Sequence, residues 1–254
     1  MRFIVACQNA AWQSRASRRP RASSRSGIPL FGAGRPFPAG LSASAFWEFT
    51  MALIDVTAAA VLLMMHDADA AVAPKGWNAS PPWVAEYPEH AAAIAKAANA
   101  NPLFGGDDGP AQTAAWMSSV ARFEGGFHKG VAGDAPCLQR DAEKKCVRRG
   151  KPTSFCPMQV SNGNFAVLGI TEEQIQESLD VCYSAGLRMM RMSFRVCSGR
   201  PLDERLVHYA FGGDGCRVDV EDAAKKSGHR ARLGKALFRK HAEREKTAAV
   251  KLGI

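Results

Sequence analysis

The side chain best suited to chemistry in this sequence is Glu124, within Phe123-Glu124-Gly125-Gly126-Phe127. The preceding residues favour a helix, and Gly125 and Gly126 end it, because glycine is common where helices stop. Glu124 therefore lies in the last turn, where the negative end of the helix dipole and two aromatic neighbours favour a protonated carboxyl. Such a carboxyl can act as the general acid that glycosidic-bond cleavage requires. The alternative interpretation is a solvated glutamate at a frayed helix end.

The helix that leads to Glu124 has its own signals. Asp108 can cap its start, and Pro110 suits its first turn. An apolar stripe at helical spacing follows, formed by Trp116, Val120, Phe123 and Phe127. The sequence therefore predicts a helix that packs one face on the core and ends at Glu124.

Other helices are predicted on both sides of this one. An alanine-rich helix should cover Glu89–Ala100, and Gly130–Ser154 should form a long surface excursion with little apolar period. The capping-box pattern at Thr171–Gln174 opens a short helix, and Leu179–Val196 should form a longer one. A further helix should start near Pro201. These patterns indicate one mainly helical domain with few strands.

The cysteines indicate the redox environment. Cys7 lies in the early segment, whereas the other six fall within one compact region. No pair has the C-x-x-C spacing of a zinc site or a thioredoxin-like motif, and an even set suggests three disulfides and an oxidising compartment. Sequence does not choose among the possible pairings, and six buried thiols are the alternative. The candidates are Cys137, Cys146, Cys156, Cys182, Cys197 and Cys216.

The formal charge of +9 is carried by the two ends of the 254-residue chain. Residues 74–216 contain 15 basic and 15 acidic side chains, whereas residues 217–254 contain 11 basic and 5 acidic ones. The balanced middle therefore argues against a nucleic-acid-binding domain. His128 and His208 have no metal-ligand spacing around them, which predicts no metal site.

The first 73 residues have two parts. Residues 1–50 are rich in arginine and serine, and we expect a disordered extension, either of the transit type or upstream of a start at Met51. Residues 51–73 contain an apolar run too short to span a membrane, followed by small residues that allow cleavage after Ala70. This pattern predicts a signal peptide and export.

Residues 217–254 form a basic, helix-like tail with a patchy apolar face. We expect a solvated terminal helix here. The alternative is a surface that contacts anionic envelope polymers or a membrane surface.

Three blocks, in order, together resemble the lytic transglycosylases of the lysozyme-like superfamily. Glu124-Gly125-Gly126-Phe127 is similar to the family's helix-ending Glu-Ser block, and Cys156-Pro157-Met158-Gln159-Val160 to its Gly-Leu-Met-Gln-Ile block. Residues 205–212, with Tyr209 before Gly212, are similar to the helix with Ala-Tyr-Asn-x-Gly. The resemblance covers about residues 108–216 and implies a disulfide-stapled, lysozyme-like helical domain over 74–216, with a small or absent β-hairpin.

The resemblance also implies an activity on peptidoglycan glycan strands, in the periplasm or outside the cell. Glu124 would protonate the oxygen between N-acetylmuramic acid and N-acetylglucosamine, then accept a proton from the C6 hydroxyl and give an anhydro product. Gln159 would bind the sugar or brace Glu124, and Met158, Tyr209 and Phe127 would contact the glycan. No cofactor or metal is implied.

Two alternatives remain on the same scaffold. A hydrolytic lysozyme usually needs a second carboxylate, and Asp134 and Asp141 are the candidates nearest in sequence. A non-catalytic wall-binding or structural protein is the other alternative, because Gly125 and Ala210 replace the family's serine and asparagine.

Overall fold

The computed structural model describes residues 56–72, 82–128, 130–133, 135–212 and 215–252, all within the compact unit Ser42–Ile254. The predicted disordered extension over 1–50, as well as Cys7 and Asp134, lies outside the described residues. The described part is mainly helical, as predicted. Its α-helices are α1 (Ala58–Val72), α2 (Tyr87–Ala100), α3 (Gly109–Glu124), α4 (Phe165–Leu168), α5 (Glu172–Glu177), α6 (Leu179–Val196), α7 (Val207–Phe211) and α8 (Glu221–Leu252). Short 3₁₀ turns occupy Pro82–Glu86, Asn162–Asn164 and Leu202–Glu204.

Among the described residues between α3 and α4 there are five short strands, where the sequence predicted only a surface excursion and at most a small hairpin. They are β1 (Ala132–Gly133), β2 (Cys137–Arg140), β3 (Cys146–Arg149), β4 (Ser154–Phe155) and β5 (Val160–Ser161). β2 and β3 form an exposed antiparallel hairpin. The other three form an antiparallel sheet in the order β1-β4-β5, in which Phe155 pairs with Ala132 on one side and with Val160 on the other.

Helix α3 is the centre of the fold, and α1, α2 and α8 pack around it. Every residue from Gly109 to Ala121 except Gln112 is buried. Its many alanine and serine residues let the neighbouring helices approach closely, and Gly234 of α8 lies directly against the Trp116 indole. Asp108 occupies the N-cap position without a side-chain hydrogen bond, so the predicted capping contact is not made. Gly125 follows the last helical residue, as predicted.

Helix α1 lies within the segment predicted to be a signal peptide, and it packs in the core. Val61, Met64, Met65 and Ala68 are fully buried against the neighbouring helices. Two carboxylates at its end also have partners. Asp67 pairs with Lys240 and Arg244 of α8, and Asp69 pairs with Arg122 of α3. Cleavage after Ala70, as the signal-peptide prediction has it, would remove these contacts.

Helix α8 also differs from the expected solvated tail. Its first half packs on α3, and the buried residues recur along one face at helical spacing. Only its last two turns have the exposed character that the sequence predicted for the whole segment. The buried residues are Ala223, Ser227, Arg230, Ala231, Leu233, Gly234 and Leu237.

The cysteine prediction is confirmed, and the pairing is now defined. Cys137–Cys146 closes the β2–β3 hairpin, Cys156–Cys182 joins the segment between β4 and β5 to α6, and Cys197–Cys216 joins the end of α6 to the segment before α8. The Thr171–Gln174 capping box is present, and α6 has the predicted bounds. The helix predicted from Pro201 is instead a 3₁₀ turn followed by the short α7. None of the described helices combines the length and the apolar character that crossing a bilayer requires.

Candidate functional site

The end of α3 is held by a sharp turn of glycines. The Gly125 amide donates to the Ala121 carbonyl, and Gly126 and Phe127 both have positive φ, at 63° and 60°. This turn directs the Phe127 ring inward, where it is fully buried and packs edge-on against Tyr87. Phe127 was predicted to contact the glycan, but its burial places it in the core instead.

A second turn, Cys156–Gln159, lies directly against this helix end. A Cβ atom at Gly125 would lie 2.8 Å from the Pro157 Cα and 2.9 Å from a Val131 methyl group. A serine at position 125, as in the resembled family, would therefore not fit here. The close approach of the two turns explains why this chain has glycine where the resembled family has serine.

The Cys156–Gln159 turn is strained and fixed at several points. Cys156 and Gln159 have φ values of 63° and 47°, an uncommon conformation for residues with side chains. The disulfide to Cys182 holds one end of the turn. The backbone amide of Gln159 donates to the Cys156 carbonyl over 2.8 Å. Met158 is fully buried, and its side chain leaves no room for a Cβ atom at Gly186. Met158 was predicted to line the groove, but it packs in the core.

Tyr209 of α7 connects this turn to Glu124. Its hydroxyl donates to the Met158 carbonyl, and its backbone amide donates to the Ser193 hydroxyl over 2.9 Å. Burial raises the pKa of the Tyr209 phenol well above its ordinary value, and the negative charge of Glu124 raises it further, whereas Arg230 opposes this. The phenol therefore stays neutral as a hydrogen-bond donor, and Glu124 and Tyr209 lie within electrostatic range of each other.

Glu124 forms an ion pair that sequence reasoning missed. The Arg230 Nη2 of α8 donates to the Glu124 Oε1, and the two side chains are 5% and 18% exposed. A guanidinium in this position favours the ionised carboxylate, whereas the sequence suggested an environment favouring the protonated one. The missed signal is the position of Arg230, which lies on the same helical face as Ser227, Gly234 and Leu237.

A cavity of about 520 Å³ lies between the β4–β5 segment and α7. Gln159 and Tyr209 both line it, whereas Glu124, Met158 and Phe127 are not among the described residues of its wall. Most of the lining is uncharged and polar. His208, for which the sequence predicted no metal site, also lines the cavity. Its Nδ1 lies 3.1 Å from the Gly215 carbonyl. The remaining wall is formed by Thr153, Ser154, Val160, Ser161, Gly163, Asn164, Met189, Ala210 and Gly212.

The candidate second carboxylate at Asp141 lies elsewhere. Its Oδ1 accepts the Lys145 amide over 2.7 Å and its own amide donates to the Lys145 carbonyl, so Asp141 closes the turn of the exposed β2–β3 hairpin. Asp134 is outside the described residues. Within the described ranges, no group of three or more histidine, cysteine, aspartate or glutamate side chains is arranged to hold a metal ion.

The structure therefore places Gln159 and Tyr209 in the wall of one cavity and Glu124 within electrostatic range of Tyr209, whereas Met158 and Phe127 are buried in the core. The family resemblance rests on these residues and on their order along the chain. A comparison with protein-family models found no match, and comparisons with curated proteins and with solved structures found none either.

Proposed function

We propose that this protein is a peptidoglycan lytic transglycosylase that cleaves the bond between N-acetylmuramic acid and N-acetylglucosamine, with Glu124 as the general acid and base. One observation carries the proposal. A carboxyl at the end of a buried helix lies within electrostatic range of Tyr209, and Tyr209 shares a cavity with Gln159. These are the three residues that the sequence blocks single out independently.

The chemistry of the cavity supports a sugar as the ligand. Its hydroxyl and amide side chains can exchange hydrogen bonds with sugar hydroxyls and an acetamido group, and no carboxylate or ammonium group lies among its described lining residues. Its volume of about 520 Å³ is within the usual size range of small-molecule sites.

The reaction needs one carboxyl group. Glu124 donates its proton to the glycosidic oxygen as the bond from that oxygen to C1 of the muramic residue breaks, and positive charge develops at C1. The resulting Glu124 carboxylate accepts the proton of the C6 hydroxyl while O6 bonds to C1. The products are a 1,6-anhydro end on the muramic residue, a free hydroxyl on the released N-acetylglucosamine and a regenerated carboxyl. Asp141 closes an exposed hairpin turn and so gives no support to a hydrolase with two carboxylates, and we keep the transglycosylase as the first proposal.

The three disulfides indicate a protein of an oxidising compartment. We place its activity in the periplasm or outside the cell, where peptidoglycan lies.

The test is digestion of purified cell-wall sacculi. We expect the wild-type protein to release muropeptides with anhydro ends, and Glu124→Gln to abolish release while still folding, as shown by a cooperative melting transition. Glu177→Gln, an exposed glutamate on α5, is the matched control and should remain fully active. Reducing ends in place of anhydro ends would establish a hydrolase. Full activity of Glu124→Gln would overturn the catalytic assignment.

A second candidate is a non-catalytic wall-binding protein on the same scaffold. The ion pair with Arg230 favours it, because a carboxyl paired with a guanidinium is mostly ionised and then holds no proton to donate. This candidate predicts that the wild-type protein co-sediments with sacculi and that mass analysis of the supernatant detects no muropeptides.

A further inference from the structure

We propose that Arg230 is a positioning residue for Glu124, so that α8 is part of the active site rather than an appendage to it. The effect on catalysis rests on the proposed function. The effect on the Glu124 carboxyl itself does not, and it can be measured in an inactive protein.

The burial of Arg230 is the first observation. The residue is 4% exposed, and its Nε and Nη1 groups make no hydrogen bond within the described part of the chain. A buried guanidinium requires a compensating charge, and Glu124 supplies it. The ion pair therefore holds the carboxylate in one place and favours its ionised form.

The position of Arg230 is itself fixed by the packing of α8 on α3. The Ser119 hydroxyl of α3 donates to the Arg230 carbonyl over 2.7 Å, and both residues are buried. One turn further along α8, an ideal Cβ atom built on Gly234 would lie 3.0 Å from the Trp116 indole. Neither α8 nor its arginine can slide along α3 without breaking these contacts.

This geometry has a consequence for acid catalysis. When Glu124 gives up its proton, negative charge develops on its carboxyl, and a guanidinium already in place stabilises that charge without reorganisation. Arg230 thereby makes Glu124 a stronger acid in the reaction. It also lowers the fraction of Glu124 that is protonated at a given pH, so the activity should be greatest at acidic pH.

Other charged groups act on the same pair. Tyr209 of α7 interacts with both members, and Asp222 at the start of α8 interacts with Arg230. On the opposite side of the α3 end, Arg122 pairs with Asp69 of α1. Tyr209 stays neutral because its pKa is raised, and Arg217 and Lys226 hold the pKa values of Asp219 and Asp222 low. His229, next to Arg230 on α8, lies against the ring of Phe123 beside Glu124, so the Glu124 carboxyl itself has to be followed as well as the pH profile.

The first experiment measures glycan release by the full chain carrying Arg230→Gln or Arg230→Lys. We expect Arg230→Gln to lower kcat about 100-fold with little change in KM, and to shift the alkaline limb of the pH profile upward. Arg230→Lys keeps a positive charge and should recover part of kcat. The matched control is Arg232→Gln, an exposed arginine on the same helix, which should change neither quantity.

The second experiment follows the Glu124 side-chain carbon by NMR during a pH titration. Removal of an adjacent positive charge should raise the titration midpoint by about 1 pH unit or more in Arg230→Gln, and not in Arg232→Gln. If Arg230→Gln unfolds, the Arg230→Lys variant supplies the comparison. A midpoint that is the same in wild type and variant would overturn the inference, as would a fall in stability with kcat and pH profile unchanged. A shifted midpoint in a protein that releases no glycan would overturn the proposed function alone.

Discussion

Arg122 and Glu124 lie two residues apart on α3, and each forms an ion pair with a helix from a different end of the chain. Arg122 pairs with Asp69 of α1, and Glu124 pairs with Arg230 of α8. All four side chains are less than one-fifth exposed. The two pairs have similar chemistry and similar burial.

Their surroundings differ. Asp69 also accepts the hydroxyl of Tyr87, which is fully buried, so the first pair is enclosed by the core. The second pair interacts with Tyr209, which lines the polar cavity. We infer that the first pair supports the fold and that the second serves the site. Similar ion pairs can thus have different roles, and the environment decides between them.

The largest expected effect is the loss of α1. A chain that starts at residue 74 lacks Val61, Met64 and Met65, whose burial contributes roughly 5–9 kcal/mol, comparable with the whole stability of a domain. We expect this chain to show no cooperative thermal transition by circular dichroism, whereas a chain that starts at Met51 should melt sharply. Equal melting temperatures would instead support the signal-peptide prediction over 51–73.

A second prediction separates the two ion pairs directly. Asp69→Ala leaves Arg122 and the Tyr87 hydroxyl without their acceptor and should lower the free energy of unfolding by about 3–5 kcal/mol. The folded protein should keep its kcat, because Asp69 lies on the α1 side of α3. Glu124→Gln should lose activity but cost less stability than Asp69→Ala, because its amide oxygen still accepts a hydrogen bond from Arg230. Chemical denaturation and glycan release, measured on the same samples, test the contrast.

The features that the sequence predicted correctly are those determined by residues close together in the chain. The end of α3, the capping box of α5 and the bounds of α6 depend on neighbouring residues, and all agree with the structure. The partner of Glu124 is 106 residues away. The apolar face of α8 shows that Arg230 is on the buried side, but no local pattern shows which carboxylate it meets. The run in α1 is equally compatible with a signal peptide and with a buried helix. Asp67 and Asp69 could have indicated a buried helix, because two carboxylates at the end of an apolar run need partners.

Two residues predicted to contact a ligand lie in the core because of the backbone conformation of their turns. Phe127 and Met158 are apolar residues beside the sequence blocks, and their motifs suggested that they contact a ligand. Phe127 itself and the residues at 156 and 159 have positive φ values, and the resulting turns direct both side chains into the core. Such conformations are rare in residues other than glycine, so neither propensity nor spacing predicts them.

Gly125→Ser should disturb the helix end that carries Glu124 and leave the Asp69–Arg122 pair unchanged. The added side chain would collide with the Pro157 backbone and Val131, so we expect a loss of about 1–3 kcal/mol and a displaced Glu124 with reduced activity. Gly105→Ser is the matched control, because a Cβ atom there meets no atom within 4 Å. A Gly125→Ser protein with normal melting and higher activity would show that the two turns can separate to accept the family's serine.

The smallest effect concerns pH and involves two aspartates on α1 that behave oppositely. Burial raises the pKa of Asp69 above its ordinary value of 3.8, because the Arg122 cation offsets only part of the desolvation. Burial also opposes the ionisation of Asp67, but hydrogen bonds from Arg244 and Lys240 outweigh it and hold the pKa of Asp67 below 3.8. Asp69 therefore contributes stability that is present below pH 3.8 and is lost as the pH rises through its folded pKa. Asp67 contributes stability that is present above pH 3.8 and is lost as the pH falls through its folded pKa.

Urea unfolding between pH 3 and pH 6 should separate these contributions. The stability difference between wild type and Asp67→Asn should grow as the pH rises, and the difference between wild type and Asp69→Asn should shrink. Each slope stays below about 1.4 kcal/mol per pH unit, the limit for one titrating group. Parallel curves for the two variants would mean that α1 and α8 do not form the Asp67 contacts in solution, and the evidence that α1 belongs to the fold would then rest on its apolar burial alone.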